Sequence, residues 1–303
     1  MAQDLYDELQ QALTQIDTVL LGKAHQIRLA VACLLAKGNL LIEDLPGMGK
    51  TTLAEALAKS FGLDFSRAHF TNDLLPADLS GVSVFNQTTQ DFDFHPGPLF
   101  CQVLLADEIN RASPRTQSAL LEAMASGRVS VDGTSHELPS PFFVIATQNG
   151  LEQTGTYPLP ESQLDRFMMR LSLGYPKRSA ERALLLGEGS SVHDLTACLE
   201  ASQLQALQLQ CSAIGVNDAL ADYVLDLIAA SRQREVGLSP RGAQALIQAA
   251  QGWALLKKRD YVIPADVIAV FSAVAEHRLD GGNPRANTPT ISQRLLEQVD
   301  SIR

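Results

Sequence analysis

The sequence predicts an α/β fold, in which a parallel five-stranded sheet with helices on both faces is joined to a smaller all-helical domain. Before Tyr175-Pro176, short β-like runs alternate with helical runs, which is typical of a parallel sheet. After residue 176 the pattern is helical throughout. Near residue 45 an apolar run, a glycine-containing turn and a helical run follow one another. We therefore expect an α/β domain over residues 1–175 and a helical domain over residues 176–303.

Five apolar runs account for the predicted sheet, and helical patterns lie between and after them. The candidate strands are Asn39–Glu43, Phe65–Phe70, Gln102–Ala106, Phe142–Thr147 and Phe167–Ser172. The candidate helices are Thr51–Phe61, Gln117–Ala125, Asn217–Gln233, Arg241–Lys258, Pro264–Arg278 and Ile291–Ile302. Two inserted segments alternate like β-hairpins, Gly81–Phe94 and Arg128–Leu138, and the second contains the tight-turn signal Asp132-Gly133. Each hairpin taken alone is also explained as an ordinary edge ribbon.

Composition restricts the class of protein. An apolar fraction of 46% in 303 residues supports a full core, and no apolar run is long enough to span a membrane. The acidic first residues do not resemble a signal peptide. The four cysteines, Cys33, Cys101, Cys198 and Cys211, have no metal-site spacing, so we expect reduced, mostly buried thiols in a cytoplasmic protein. A net charge of −10 argues against general binding to nucleic acid.

The most informative segment joins the first predicted strand to the helix after it. Its sequence is Glu43-Asp44-Leu45-Pro46-Gly47-Met48-Gly49-Lys50-Thr51-Thr52. Backbone N–H groups of such a turn, and of the helix that follows, point at an anion. Lys50 would reach the β- and γ-phosphates of a nucleotide, and the Thr51 hydroxyl would bind Mg²⁺. The strict pattern has Gly where this chain has Asp44, although Asp tolerates left-handed backbone. The alternative for the segment alone is a turn with a surface lysine.

A second candidate for phosphate chemistry ends the third strand. Asp107 and Glu108 follow the apolar run Val103–Ala106, and adjacent residues of a strand point in different directions. One carboxylate could therefore face a metal ion while the other faces an attacking water, as phosphoryl transfer requires. Two solvated acids at a strand end are the alternative. A phosphate loop upstream in the same strand–loop context argues against that alternative.

Three more polar residues are candidates, each with a structural alternative. Asn149 follows the fourth strand, where an amide could orient water, or it simply forms a turn. Arg166 could act as a finger on a neighbouring subunit's γ-phosphate, with Arg170 as the alternate, or it forms a surface ion pair. Arg241 is the second residue of a helix that Ser239 caps, where a cation opposes the helix dipole. A nucleotide phosphate or a nearby acid would explain Arg241.

Together these segments resemble an AAA+ ATPase, and more narrowly the MoxR family. The residues that carry the resemblance are Leu45–Thr51, Leu104–Met124, Thr147–Asn149, Gly155–Phe167, Ser239–Arg241 and Arg259–Val267. It covers nearly the whole chain. The resemblance implies a five-stranded parallel core, two inserted hairpins and a helical lid. Family members often carry Glu-Asp before the loop proline, so Asp44 is compatible with nucleotide binding.

The resemblance also implies roles for single residues. Leu45 to Thr52 would bind ATP, with Lys50 and Thr51 in the Walker A roles. The segment Val19–Gly22, and Gly22 in particular, would lie against adenine. Asp107 and Thr51 would hold Mg²⁺, and Glu108 would activate water. Asn149 would be sensor 1, Arg166 the finger and Arg241 sensor 2. Such ATPases form rings, usually hexamers, with ATP between subunits.

The resemblance predicts a chaperone-like remodeller of protein clients that works with a partner carrying a von Willebrand factor A domain. Two alternatives remain open. One is an AAA+ motor on nucleic acid, although the hairpin tip Asp132–His136 has no Lys, Arg or aromatic residue to hold a strand. The other is a nucleotide-gated scaffold with little turnover.

Overall fold

A computed structural model describes residues 2–149, 155–233, 236–280 and 290–300. The last predicted helix, Ile291–Ile302, is too long, because the helix ends at Gln298 and the next two residues are not helical. Residues 301 and 302 lie outside the described residues. The strands are β1 (Leu40–Glu43), β2 (Phe65–His69), β3 (Gly81–Asn86), β4 (Asp91–Pro96), β5 (Val103–Asp107), β6 (Arg128–Val131), β7 (Thr134–Glu137), β8 (Phe143–Gln148) and β9 (Met169–Leu171).

Five of these strands form one parallel sheet in the order β2-β5-β8-β1-β9. The prediction of this sheet is confirmed, and each predicted strand lies within two residues of the observed one. The central strands β5 and β8 consist almost entirely of buried residues. This is the expected pattern for parallel strands that are covered on both faces, and it explains why they appear in the sequence as continuous apolar runs.

Twelve α-helices lie within the described residues. They are α1 (Ala2–Val19), α2 (Ala24–Leu35), α3 (Lys50–Ser60), α4 (Pro76–Ser80), α5 (Pro114–Ser126), α6 (Glu161–Leu164), α7 (Arg178–Leu185), α8 (Ala201–Ser212), α9 (Asp218–Ser231), α10 (Pro240–Leu256), α11 (Pro264–Leu279) and α12 (Ile291–Gln298). The predicted lid helices are confirmed as α9 to α12. The sequence analysis missed α1, α2, α4, α6, α7 and α8.

Two apolar cores cover the two faces of the sheet. The larger one joins α1, α2 and α3 to the helices of the lid, and α10 packs directly on α2. The smaller one lies under α4, α5 and the second hairpin. Because α11 also packs on the edge strand β9, the lid is in contact with the sheet where the chain leaves it.

Both inserted hairpins are present, as β3–β4 and β6–β7. They are not independent ribbons, because Phe94 of β4 stacks on His136 of β7 with ring centroids 4.0 Å apart. The cysteines fit the expectation of thiols: all four are free, and three are buried. Among the described residues, none of the helices has the length and apolarity that crossing a membrane requires.

Candidate functional site

The carboxyl ends of three adjacent strands bring the predicted site residues to one edge of the sheet. In the order β5-β8-β1, these strands end at Asp107, Gln148 and Glu43. The loop after β1 leads to Lys50, and Asn149 directly follows β8. In open α/β sheets this edge is where ligands bind, so topology alone explains why distant residues meet here.

The loop from Leu45 to Gly49 forms a cradle of backbone amides at the start of α3. Gly47 and Gly49 have φ angles of 80° and 92°, a left-handed conformation that glycine adopts without the steric penalty other residues pay. Gly49 is the N-cap of α3, and the first-turn N–H groups of a helix have no partners within it. The cradle therefore combines free donors with the positive end of a helix dipole, which favours an anion.

The Lys50 side chain is buried beneath this cradle, with 9% of the residue exposed. Its Nζ donates to the backbone oxygen of Asp44 at 2.8 Å and to Oδ1 of Asn149 at 3.2 Å. Burial lowers the pKa of the Lys50 ammonium, and nearby carboxylates, Asp107 first among them, partly offset that effect. A cation held this way is placed before any ligand arrives, so little side-chain entropy is lost on binding.

Asp44, which departs from the strict loop pattern, has a structural task. Its Oδ1 accepts from the N–H of Leu45 at 2.9 Å, and its Oδ2 accepts from the N–H of Gly174 at 2.7 Å. The hydroxyl of Ser172 donates to the same Oδ2 at 3.3 Å. The carboxylate therefore attaches the loop to the segment that follows β9, a connection that glycine in this position could not make.

Thr147 joins the two acidic residues of β5, and the sequence analysis assigned it no role. Its hydroxyl donates to Oδ1 of Asp107 at 2.7 Å and accepts from the N–H of Glu108 at 2.9 Å. Glu108 needs such support because its φ of 57° is unusual for a residue with a Cβ. The signal in the sequence is the spacing: residues two apart on a strand share a face, so Thr147 and Asn149 both point at the Asp-Glu pair.

Replacing Thr147 with valine should lower the free energy of unfolding by about 1–3 kcal/mol, because it leaves a buried carboxylate oxygen and a buried N–H without partners. Urea denaturation would measure this change in the free energy of unfolding. Serine at the same position keeps the hydroxyl and should recover most of the loss. The matched control is Thr14→Val, since the Thr14 hydroxyl is exposed on α1 and bonds only to the preceding turn. Equal stability of the two valine variants would contradict the assignment.

Positive side chains surround both acidic residues. Arg67 donates to Oδ2 of Asp107 at 2.5 Å, and Nε of Arg111 lies 2.9 Å from Oε2 of Glu108. Burial alone would raise the pKa of Asp107, but the hydrogen bonds from Thr147 and Arg67 outweigh it, so this pKa lies below its usual value. A carboxylate that stays ionised is the kind of oxygen ligand that Mg²⁺ prefers.

Asn149 connects the lysine to the glutamate. Its Nδ2 donates to Oε1 of Glu108 at 3.0 Å, and its Oδ1 accepts from Lys50. The structure therefore brings Lys50, Asn149, Glu108 and Asp107 together as the sequence analysis expected. The turn alternative for Asn149 does not account for an amide whose two ends both bind charged groups.

The structure separates the two candidate finger arginines. Arg166 is exposed, and its Nη1 donates to the backbone oxygen of Leu121 at 2.8 Å. The Arg170 side chain is only 10% exposed and forms ion pairs with Glu43 and with Asp280 of the lid. A guanidinium committed to two carboxylates is a structural link, so Arg166 is the better candidate for contact with another molecule.

Arg166 and Arg241 lie at the opposite edge of the sheet from the phosphate loop. Arg166 precedes β9, whose first residue Met169 pairs with Leu40, the first residue of β1, whereas the loop follows the last residue of β1. Four strand residues separate these edges by roughly 13 Å. Arg241 is 63% exposed, and its Nη1 lies 3.9 Å from Oδ2 of Asp165. Ser239 caps its helix as expected, and the predicted nearby acid is thus present.

The other residues that the sequence analysis assigned to nucleotide binding lie in the loop or next to it. Leu45, Pro46 and Met48 form the loop itself, and Thr51 and Thr52 begin α3. Gly22 lies exposed in the turn after α1, where a Cβ would come within 2.7 Å of Ala180. Leu20, two residues earlier, approaches Gly49 closely enough that a Cβ there would lie 2.8 Å from its Cδ1. The end of α1 therefore borders the cradle.

Fold and site together define an AAA+ ATPase, with an α/β core, a phosphate loop and a helical lid. Residues 39–169 match the family of ATPases associated with various cellular activities, and residues 227–299 match the AAA lid domain. A crystal structure of a candidate ATPase from Cytophaga hutchinsonii superimposes with a TM-score of 0.86 at 31% identity, covering 98% of this chain and 95% of that one.

Curated relatives narrow the class. The chaperone MoxR1 of Mycobacterium tuberculosis is 40% identical over 89% of this chain and 75% of its own length. The MoxR protein of Paracoccus denitrificans is 33% identical over 91% of this chain and 89% of its own length. The YeaC protein of Bacillus subtilis is 46% identical over 91% of this chain and 88% of its own length. The chain belongs to the MoxR family of AAA+ ATPases.

Proposed function

We propose that this protein hydrolyses Mg-ATP at sites shared between the subunits of a ring, and uses the energy to remodel or activate protein clients. The observation that carries the proposal is the connected set at the carboxyl edge of the sheet. There, Lys50 and Glu108 are held by the two ends of the Asn149 amide, and Thr147 links Asp107 to Glu108. Membership of the MoxR family supports the chaperone-like role.

Each residue has a distinct task in this proposal. The cradle and Lys50 hold the phosphates, and the oxygens of Thr51 and Asp107 suit Mg²⁺, which supplies charge neutralisation when bound. Glu108 accepts the proton of the attacking water, and Asn149 keeps that carboxylate aimed at the phosphate. The residue 1–175 core and the residue 176–303 lid remain the proposed division of the chain.

Sheet geometry supports sites that are completed between subunits. Arg166 and Arg241 lie on the edge opposite the phosphate loop of their own chain. Each guanidinium is therefore better placed to serve the nucleotide of a neighbour than its own. A closed ring repeats such a head-to-tail contact around its axis. A hexamer is the proposed assembly, in keeping with the AAA+ class.

A protein client is favoured over nucleic acid by the first hairpin. Its exposed rings, Phe85 and Phe92, pack edge to face with centroids 5.4 Å apart. Asp91 and Asp93 flank them, and these charges would repel a phosphate backbone. Cytoplasmic client complexes and a von Willebrand factor A domain partner remain part of the proposal. Stimulation of ATP hydrolysis by DNA would instead favour the motor.

The experiment that tests this function is ATP hydrolysis per subunit over a wide range of protein concentration. The specific rate should rise with concentration if sites are completed between subunits. Glu108→Gln should lower it ~10²–10⁴-fold, because the general base is lost, while nucleotide binding is retained. Glu297→Gln, an exposed position on α12, is the matched control. A rate that Glu108→Gln leaves unchanged would contradict catalysis and support the scaffold.

A further inference from the structure

Asp165 lies where α10 and α11, two of the lid helices, meet the segment that carries Arg166. Its Oδ1 accepts from Nε of Arg278 at 2.7 Å. Its Oδ2 accepts from the hydroxyl of Ser239 at 3.3 Å and lies 3.9 Å from Arg241. Ser239 caps α10 and Arg278 is in the last turn of α11. One carboxylate therefore contacts both lid helices, and the next residue along the chain is Arg166.

The Arg278 guanidinium fixes the backbone on both sides of Arg166. Its Nη2 donates to the backbone oxygens of Asp165 at 3.3 Å and Phe167 at 2.9 Å, and its Nη1 donates to that of Met168 at 3.1 Å. The adjacent His277 also bonds to the oxygen of Phe167 at 3.1 Å. Arg278 is buried and Arg166 is exposed. The backbone is thus immobilised from inside, while the Arg166 side chain faces outward.

We infer that Asp165 is a positioning residue that holds Arg166 and Arg241 as one unit with the lid and presents both guanidiniums to a neighbouring subunit. The inference rests on the proposed function, since it assumes that Arg166 acts on a neighbour's nucleotide. The reason is geometric. Arg241 begins the helix that Ser239 caps, and Arg166 follows the carboxylate directly, so the same group sets the distance between the two cations. Its charge also reduces their mutual repulsion.

A change in lid orientation must therefore move Arg166. Any displacement of α10 or α11 is transmitted through Ser239 or Arg278 to the backbone next to Arg166. Because a misplacement of about 1 Å can cost ~100-fold in rate, a small lid movement suffices to switch the neighbour's site off. Asp165 would in this way couple the lid of one subunit to hydrolysis in the next.

The chain provides a matched control for this connection. A second ion pair, between Arg170 of β9 and Asp280 at the end of α11, also links the lid to the edge of the sheet. Glu43 contacts Arg170 as well, so Asp280→Asn leaves that arginine a carboxylate. Both variants weaken lid attachment, but only Asp165→Asn removes side-chain contacts of the segment that carries Arg166. Asp280→Asn should therefore keep hydrolysis near that of the unmodified protein.

The test is hydrolysis in mixed assemblies of Asp165→Asn with Lys50→Ala. Asp165→Asn alone should lower kcat ~10–100-fold and change the KM for ATP less than ~3-fold. Its own phosphate loop is intact, and Lys50→Ala subunits carry an intact Arg166, so mixing should restore activity. Mixing it with Arg166→Ala should restore none, because neither subunit presents a positioned finger. Asp165→Glu, which keeps the charge but shifts the carboxylate, gives the same test with less risk to folding.

The outcomes separate this inference from the proposed function. Mixing Arg166→Ala with Lys50→Ala tests only whether sites are shared between subunits. If that pair is rescued and the Asp165 variants are not, with mixed assembly confirmed by mass, Asp165 is not a positioning residue for Arg166. If Asp280→Asn loses as much activity as Asp165→Asn, general lid attachment explains the effect and the inference is wrong. If neither pair is rescued, the shared-site proposal itself fails.

Discussion

Replacing Lys50 with alanine is expected to weaken Mg-ATP binding by ~10–100-fold and to reduce hydrolysis below detection. The binding loss corresponds to a charge-assisted hydrogen bond of about 1.5–3 kcal/mol. The loss of turnover should be larger, because Lys50 also holds Asn149, which in turn holds Glu108. Titration with a fluorescent ATP analogue and a phosphate-release assay would measure the two effects separately.

Lys59→Ala is the matched control for this experiment. Lys59 lies in the last turn of the same helix and donates to the backbone oxygen of Val192 at 3.1 Å. Both variants remove a lysine from α3, so a loss that follows only from Lys50→Ala reports on the cradle. The thermal stability of both variants should be measured as well, because the backbone oxygen of Asp44 loses its Lys50 partner in Lys50→Ala. Unchanged hydrolysis in a folded Lys50→Ala protein would refute the phosphate-loop assignment.

Much of this site could be predicted because the relevant signals are local. A strand followed by glycines and Lys-Thr needs only neighbouring residues to form its cradle. Asp107 is the last residue of β5, and Asn149 directly follows β8. Parallel strands then bring these ends together without further information. The strand bounds were accurate for the same reason, because burial on both faces makes β5 and β8 continuous apolar runs.

The parts that the sequence did not reveal depend on contacts between distant segments. Asp44 looked like a departure from a pattern, but its carboxylate binds the N–H of Gly174, and no local rule predicts a partner that far along the chain. Thr147 looked like one more residue of an apolar strand. Its role appears only when β8 lies beside β5. The helix α2 is buried along most of its length between the core and α10, so its sequence lacks the one-sided apolar stripe of a surface helix.

The lid contacts are the clearest case of such long-range information. Arg170 and Arg166 were both reasonable fingers in the sequence, since each is an arginine close to the last strand. Only the position of α11 distinguishes them, because Asp280 takes Arg170 into a buried pair while Arg278 holds the backbone around Arg166. The acid that faces Arg241 likewise comes from another part of the chain.

Arg166→Ala is expected to lower kcat ~10³-fold or more, in the range of arginine fingers, while ATP affinity changes little. The reason is that, among the described residues, Arg166 forms no hydrogen bond or ion pair with the cradle of its own chain, and its side chain is exposed. Arg294→Ala, an exposed position on α12, is the control for general loss of surface charge. Equilibrium nucleotide binding and single-turnover hydrolysis would separate the two effects.

Mixing Arg166→Ala with Lys50→Ala should restore activity, because an intact phosphate loop then meets an intact finger at some interfaces. In randomly mixed rings with equal amounts of both variants, about a quarter of the interfaces combine the two intact parts. Recovery toward that fraction would place Arg166 in the neighbour's site. Persistent inactivity, with mixed rings confirmed by mass, would mean that Arg166 acts within its own chain or not at all.

Arg170→Ala provides the decisive contrast. Removing one partner of a buried ion pair typically costs about 3–5 kcal/mol, so this variant should unfold at lower denaturant concentration. Glu43 and Asp280 both lose their counter-ion within the same chain, and a neighbouring subunit cannot replace it. Any activity that Arg170→Ala loses through this instability should therefore not be recovered when it is mixed with Lys50→Ala. If Arg170→Ala is rescued and Arg166→Ala is not, Arg170 is the finger and Arg166 has the structural role. The reason is that mixing can replace only a residue that acts in the site of a neighbouring subunit.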